Sequence, residues 1–304
     1  MPGIYFEVGR SILSGSNIWY RNVQHLGTGG NAVTFLVNAT SGANKGVLFA
    51  LKVFQRIIDQ QRMTRFLEEI EFLLGCDHPS IMRIFDTGRF RNPNGDEFPF
   101  VVAEYLPVRL FDVIRSDSAD MPLKISFSLQ LMSALRYLNG LNPPVVHRDI
   151  KPQNIFTKSN SCVLGDFGMM KRLADAAIDQ EDIAAIMEYT PIPFFYRTPD
   201  LVGYVNGKSA LTTKSDIYQL GLVLAELFTG RNPMVRSEDL RAPVELEVLR
   251  DIRGGLGGGV KRTIELMIQG NPNDRPSPDD LMDRWQGLFE DAVLRAHSLN
   301  GKAI

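Results

Sequence analysis

The stretch Val146-His-Arg-Asp-Ile-Lys-Pro-Gln-Asn154 decides how the rest of the chain is read. It gathers a carboxylate (Asp149), an ammonium (Lys151) and a carboxamide (Asn154) in one short segment. An Asp can accept a proton, a Lys two positions on can steady a phosphoryl group in flight, and an Asn three further on can hold a metal ion. That set suits phosphoryl transfer. A plain polar turn can also carry such residues, so the reading depends on what stands on either side.

Composition sets the frame. With 304 residues, 44% of them hydrophobic, the chain has material for one large domain or two lobes and the make-up of a soluble globular protein. A net charge of −2 gives no electrostatic reason to expect nucleic acid or an anionic membrane as a partner, and both are set aside. Two cysteines, Cys76 and Cys162, are too few for a disulfide framework or a zinc site and suit a reducing compartment. The first residues lack the basic-then-apolar build of a signal peptide, and no apolar run has the length of a membrane span, so the cytoplasm is the expected location.

Upstream of the central stretch the texture is β-rich. Residues 1–20 show no period and read as an N-terminal strand or extension. His25-Leu-Gly-Thr-Gly-Gly-Asn-Ala-Val-Thr-Phe-Leu-Val37 is a glycine-rich turn between strand-like runs. Missing side chains there would let backbone N–H groups approach phosphate oxygens, although the same pattern also makes an ordinary hairpin. Val47–Phe54 reads as a strand in which Lys52 interrupts an apolar run, so that it either points to solvent or meets an anion. Residues 57–74 carry apolar positions at helical spacing with Glu68, Glu69 and Glu71 among them, and one of these acids could reach Lys52. Ile81–Gly88 and Phe98–Tyr105 read as strands joined by an Asn-Pro-Asn-Gly turn, and Pro107 closes the lobe.

Downstream the texture becomes helical. Ile125–Leu141 has amphipathic spacing and stops at Asn142-Pro-Pro144. Past Asn154, two short strands deliver Asp166-Phe-Gly168, a second acid beside the first, and residues 169–195 read as a loop. Ser215–Gly230 is apolar nearly all round, with Ser215 as the expected N-cap and Gly230 as the expected C-cap of a buried helix.

In this order the motifs resemble the eukaryotic-type serine/threonine protein kinases, over roughly residues 22–289. The resemblance implies an α+β, bilobal fold: a small β-rich N-lobe with one main helix (21–106) and a larger, mostly helical C-lobe (107–289), flanked by an N-terminal extension (1–20) and a C-terminal tail (290–304). It implies transfer of the γ-phosphoryl group of ATP, with Mg2+ or else Mn2+, to Ser or Thr hydroxyls of protein substrates. Asp149 corresponds to the catalytic base, Lys151 to the phosphate-steadying lysine, and Asn154 and Asp166 to the metal ligands. Lys52 corresponds to the lysine that meets the nucleotide phosphates, and Glu69, or Glu68 in its stead, to its helix partner.

The nucleotide set implied is Leu26, Gly27, Thr28, Gly29 and Gly30 over the phosphates, Ala50 and Phe156 around the base, Ala103 behind it, and Glu104 to Leu106 along its edge. Ala32 stands where a third glycine is usual. Leu73, Ile84, His147 and Phe167 match the family's apolar column, and Asp200 with Arg275 its structural ion pair, one methylene shorter than usual. Thr190 or Tyr189 is implied as an autophosphorylation site, with Arg148 to meet the phosphate and Glu188 as a partial substitute. Pro193 falls where a Thr normally contacts the catalytic pair, which keeps a nucleotide-binding scaffold, a pseudokinase, open as the alternative, and a small-molecule kinase as a third reading. Oligomeric state is not readable from sequence.

Overall fold

The computed structural model describes residues 4–29, 32–55, 66–67, 70–71, 73–166, 171–173, 195–237 and 239–300. The described residues fall into two compact units, the first within Met1–Asp77 and Ile81–Leu106, the second within His78–Ser80, Pro107–Met187 and Ile192–Ile304. One is built on a sheet and the other mainly on helices, the α+β division that the resemblance implies.

The first unit is a six-stranded antiparallel sheet in the order β1-β2-β3-β4-β6-β5. Its strands are β1 (Ser11–Leu13), β2 (Trp19–Thr28), β3 (Ala32–Ala39), β4 (Leu48–Phe54), β5 (Ile84–Arg91) and β6 (Glu97–Glu104). Side chains alternate between faces along each strand. One face, with Phe35, Val37, Phe49, Leu51, Val53, Phe98, Phe100 and Val102, forms the core. The other therefore receives the even-numbered residues of β4, Ala50 and Lys52, opposite Ala103 and Val101 of β6 and Leu36 and Thr34 of β3. The Asn92–Gly95 turn between β5 and β6 takes Gly95 to φ 91°, a value that favours glycine. Of the helix expected over 57–74, Phe66, Leu67, Ile70, Leu73 and Leu74 are helical, and the remainder lies outside the described residues except Glu71, also helical.

The second unit carries α1 (Leu110–Ser116), α2 (Met121–Asn139), α3 (Pro199–Val205), α4 (Lys214–Thr229), α5 (Gly257–Met267) and α6 (Pro278–Asn300). Two small sheets accompany them, β10-β9-β7 from Ser161–Leu164, Ile155–Lys158 and Val108–Arg109, and β11-β8 from Lys171–Arg172 and Val145–Val146. Residues from Ser215 to Ala225 of α4 are buried without interruption, as its all-round apolar sequence predicts. No helix among the described residues is long and apolar enough to cross a membrane.

Two expectations need correction, and the strand-or-extension alternative at the N-terminus resolves to a strand. β1 pairs with β2, Ile4 and Phe6 are buried in the sheet core, and Phe6 meets Phe35 and Phe90 edge-on at 5.5 and 5.8 Å. Ser14 donates to the buried Asp86 on β5 (2.5 Å), which fastens the segment from the polar side as well. At the other end, α6 continues through residue 290 to Asn300, with Ala292 buried, so no separate tail begins at 290. Finally, Thr213 rather than Ser215 precedes α4; the Ser215 hydroxyl is bonded to that of Thr198 (2.7 Å), which itself caps α3 by accepting from the Leu201 amide.

Because Phe6 fills the core and is not draped over it, Phe6→Ala should destabilise the sheet unit by about 3 kcal/mol, the cost of a buried aromatic truncation. A guanidinium titration followed by circular dichroism would show the earlier transition, and an unchanged midpoint would return residues 4–20 to the status of an extension.

Candidate active site

The second unit assembles Asp149, Lys151, Asn154 and Asp166. Lys151 Nζ donates to both carboxylate oxygens of Asp149, at 2.9 and 2.8 Å. Asn154 Nδ2 donates to Asp149 Oδ2 (2.7 Å) and to the Asp149 carbonyl (2.8 Å), so the amide's oxygen is the atom turned away from Asp149. The Gly165 amide donates to the Asn154 carbonyl (2.9 Å), which sets Asp166 next to that pair. Arg148 and Asp166 both hold left-handed backbone, φ 67° and 59°, which non-glycine residues adopt rarely and which gathers at functional sites.

α4 supports this arrangement from below. Asp216, fully desolvated within the helix, accepts from the amides of His147 (2.7 Å) and Arg148 (3.0 Å). Gln219, one turn on, accepts from the Ile150 amide (2.9 Å) and donates to the Arg148 carbonyl (3.0 Å). The strained residue is thus held at its N–H and its C=O. His147 is buried, and desolvation lowers its pKa, so it stays a neutral ring. Nε2 meets the Gly165 carbonyl at 2.9 Å and must carry the hydrogen, leaving Nδ1 as the acceptor facing the Asp149 amide.

Burial pushes the Asp149 carboxyl above its ordinary value and the Asp166 charge adds to that, while Lys151 and Asn154 pull it back. The net direction is upward, as suits a base near neutrality. Asp216 is raised for the same first reason, burial, against which the hydrogen bonds from the His147 and Arg148 amides pull it back.

In the first unit, Ala50, Lys52, Val101 and Ala103 share one face, with Thr34 directly across from Lys52. Lys52 Nζ lies 5.3 Å from the Phe54 ring centroid. Among the described residues, a Cβ added at Gly27 would meet no atom within 4 Å, and one at Gly29 would come to 3.7 Å from the Ala32 carbonyl, so packing against them dictates neither glycine. Leu26 and Gly27 are half-buried at the end of β2, and Thr28 and Gly29 are exposed. The Glu104 amide donates to the Arg83 carbonyl (2.9 Å). Phe156 lies on β9 of the second unit, half-buried. Glu68, Glu69, Gly30, Phe167, Glu188, Tyr189, Thr190 and Pro193 lie outside the described residues.

A family model described as a protein kinase domain matches residues 20–285. The chain belongs to the protein kinase domain family. It is 32% identical over 174 residues to the serine/threonine-protein kinase PknB of Mycolicibacterium smegmatis, a match that covers 56% of this chain and 26% of that protein. It is 29% identical over 261 residues to the mitogen-activated protein kinase kinase kinase 5 of Arabidopsis thaliana, covering 81% of this chain and 34% of the relative. To the protein kinase gsk31 of Schizosaccharomyces pombe it is 30% identical over 223 residues, 70% of this chain and 53% of the relative. The chain therefore spans between about a quarter and about half of the length of these curated relatives.

The kinase domain also keeps the expected ion pair: Arg275 Nη1 lies 2.7 Å from Asp200 Oδ2, both side chains essentially inaccessible. The bond is single. Among the described residues, Asp200 Oδ1 has no hydrogen-bond partner. Sequence reasoning missed Thr34, Asp216 and Gln219. Thr34 could have been found by strand alternation opposite Lys52, and Asp216 and Gln219 as polar residues one turn apart in an otherwise apolar helix.

A carboxyl whose folded pKa is raised above its unfolded value of about 3.8 keeps its proton longer in the folded state, so stability falls as pH rises through that window. Asp149→Asn removes Asp149's share of the loss. The variant's stability relative to wild type should therefore increase from about pH 4 to about pH 7 in denaturant titrations, and a constant or falling difference would mean that Asp149 is not raised.

Proposed function

We propose that this chain is an ATP- and Mg2+-dependent protein kinase that transfers the γ-phosphoryl group to Ser or Thr hydroxyls of protein substrates. The observation that carries this reading is the Asp149 carboxylate held between Lys151 and Asn154 with Asp166 beside it. A substrate hydroxyl oxygen attacks the γ-phosphorus as the bond to the β-phosphate oxygen breaks; ADP leaves, and Asp149 orients the hydroxyl and takes its proton. Lys151, already on the carboxylate, is placed to share its charge with the transferring group. On the nucleotide side, Lys52 would meet the phosphates with Glu69 fixing it, and the backbone of Leu26 to Gly30 would cover them. Ala50, Ala103, Leu106 and Phe156 supply apolar surface for the base, with Glu104 at its edge.

The metal fits the donor set. Among the described residues no three His, Cys, Asp or Glu side chains gather into a metal cage. Asn154 and Asp166 instead offer one amide oxygen and one carboxylate. Magnesium is typically held by one or two carboxylates together with substrate phosphates and water, and Mn2+ shares that preference. When bound, the ion neutralises phosphate charge.

Autophosphorylation at Thr190 or Tyr189, with Arg148 as the phosphate's partner, belongs to the same proposal. A reducing cytoplasmic setting is proposed from the two cysteines, both free thiols.

The test is transfer of labelled γ-phosphate from Mg-ATP to the chain and to a mixed protein substrate, with phosphosites mapped by mass spectrometry. Label on Ser or Thr that drops by about a hundredfold or more in both Asp149→Ala and Lys52→Ala is expected. Nucleotide binding with no transfer by wild type would overturn the proposal in favour of a scaffold.

A further inference from the structure

Gln219 is 1% exposed, and all of its carboxamide's bonds run to backbone. Its Oε1 accepts from the Ile150 amide, and its Nε2 donates to the carbonyls of Arg148 (3.0 Å) and Tyr196 (2.9 Å). Two carbonyls on one side and one N–H on the other admit a single orientation of the amide. The Arg148 carbonyl belongs to the peptide group before the Asp149 Cα, and the Ile150 amide to the one after it. Both peptide planes that flank the base are therefore tied to one side chain, and together they set the direction in which the carboxylate leaves the backbone. Asp216 does something different, since it holds the two amides ahead of this point, at His147 and Arg148.

The third bond reaches Tyr196, which leads into α3. The Tyr196 hydroxyl donates to Glu226 of α4, Asn232 donates to the Phe195 carbonyl (2.7 Å), and Thr198 is bonded to Ser215. Of the side chains that hold this segment through those bonds, Gln219 is the one that also bonds the loop carrying Asp149.

We propose that Gln219 is a positioning residue that joins the Asp149 loop to the Tyr196 segment through one carboxamide, and so sets where a protein substrate's hydroxyl meets the base. The role rests on the kinase reading above, with the Tyr196 segment taken as part of the peptide-docking surface. Only a group that accepts once and donates twice can fill it, which leucine and glutamate of similar size cannot.

Gln219→Leu keeps the volume and removes all three bonds, and Gln219→Glu keeps the shape while removing donors. In the purified chain with Mg-ATP and a phosphorylatable peptide, both variants should lose about tenfold to about a hundredfold in kcat. They should also show a raised KM for peptide and an unchanged KM for ATP. A variant that merely folds less well would lower kcat and leave both KM values alone. In parallel, residue-resolved amide exchange in Gln219→Leu should accelerate at Ile150 and stay unchanged at His147 and Arg148, whose amides Asp216 retains. Wild-type kinetics in Gln219→Leu would overturn the proposal, and so would unaltered exchange at Ile150. If wild type itself transfers no phosphate, the kinase reading fails on that result, while the exchange experiment still decides whether Gln219 holds the loop.

Discussion

A carboxylate buried in the first turn of an apolar helix is the constraint on which the Asp149 loop depends. Taking Asp216 out of water is costly unless its oxygens find donors. The donors it finds are two backbone amides nearly seventy residues away, at His147 and Arg148. Such charge-assisted bonds are short and strong in a low-dielectric interior. They hold Arg148 in a left-handed conformation it would otherwise leave, and the turn that follows delivers Asp149, Lys151 and Asn154 to one place. Removing the carboxylate would leave two amides unpaired inside the unit as well as a loop free to relax, so the support and the site are one structure.

The sheet unit solves a simpler problem by alternation. Its core face is aromatic and aliphatic, down to Phe6 and Ile4 from the chain's first residues, which leaves Lys52 with only the opposite face to occupy. There it has small or β-branched neighbours: Thr34 and Val101 directly opposite, and Ala50 and Ala103 one pair along. A lysine among such residues, with a pair of glycines nearby that no described side chain crowds, fits the phosphate contact proposed above.

What could be read from sequence was what is local in sequence. The loop from His147 to Asn154 is contiguous, the strands around Lys52 announce themselves by period, and Gly230 does end α4 in a left-handed cap. The Asp200–Arg275 pair was also legible, although only the structure shows that it is bonded once. Residues 4–20 have no period because they bury irregularly spaced single residues, Ile4, Phe6, Ser14 and Tyr20, against a core made elsewhere. The short helices α1 and α3, seven residues each, are too brief for a 3.6-residue pattern to stand out. The glycine run from 254 to 259 reads as loop, yet α5 begins inside it, at Gly257, where an added Cβ would strike the Ile252 carbonyl. Asp216 and Gln219 stand out in the sequence only as two polar residues one turn apart in an apolar helix; what they hold, backbone groups of a distant segment, no local pattern encodes.

The measurement that tests this account most directly is a crystal structure of the chain with a non-hydrolysable ATP analogue and Mn2+, whose anomalous signal locates the cation. The account predicts a manganese peak bonded to the Asn154 amide oxygen and an Asp166 carboxylate oxygen, with the nucleotide's phosphates at Lys52 and the backbone of Gly27 and Gly29. A nucleotide bound with no cation at Asn154 and Asp166, or with its phosphates away from Lys52, would contradict it.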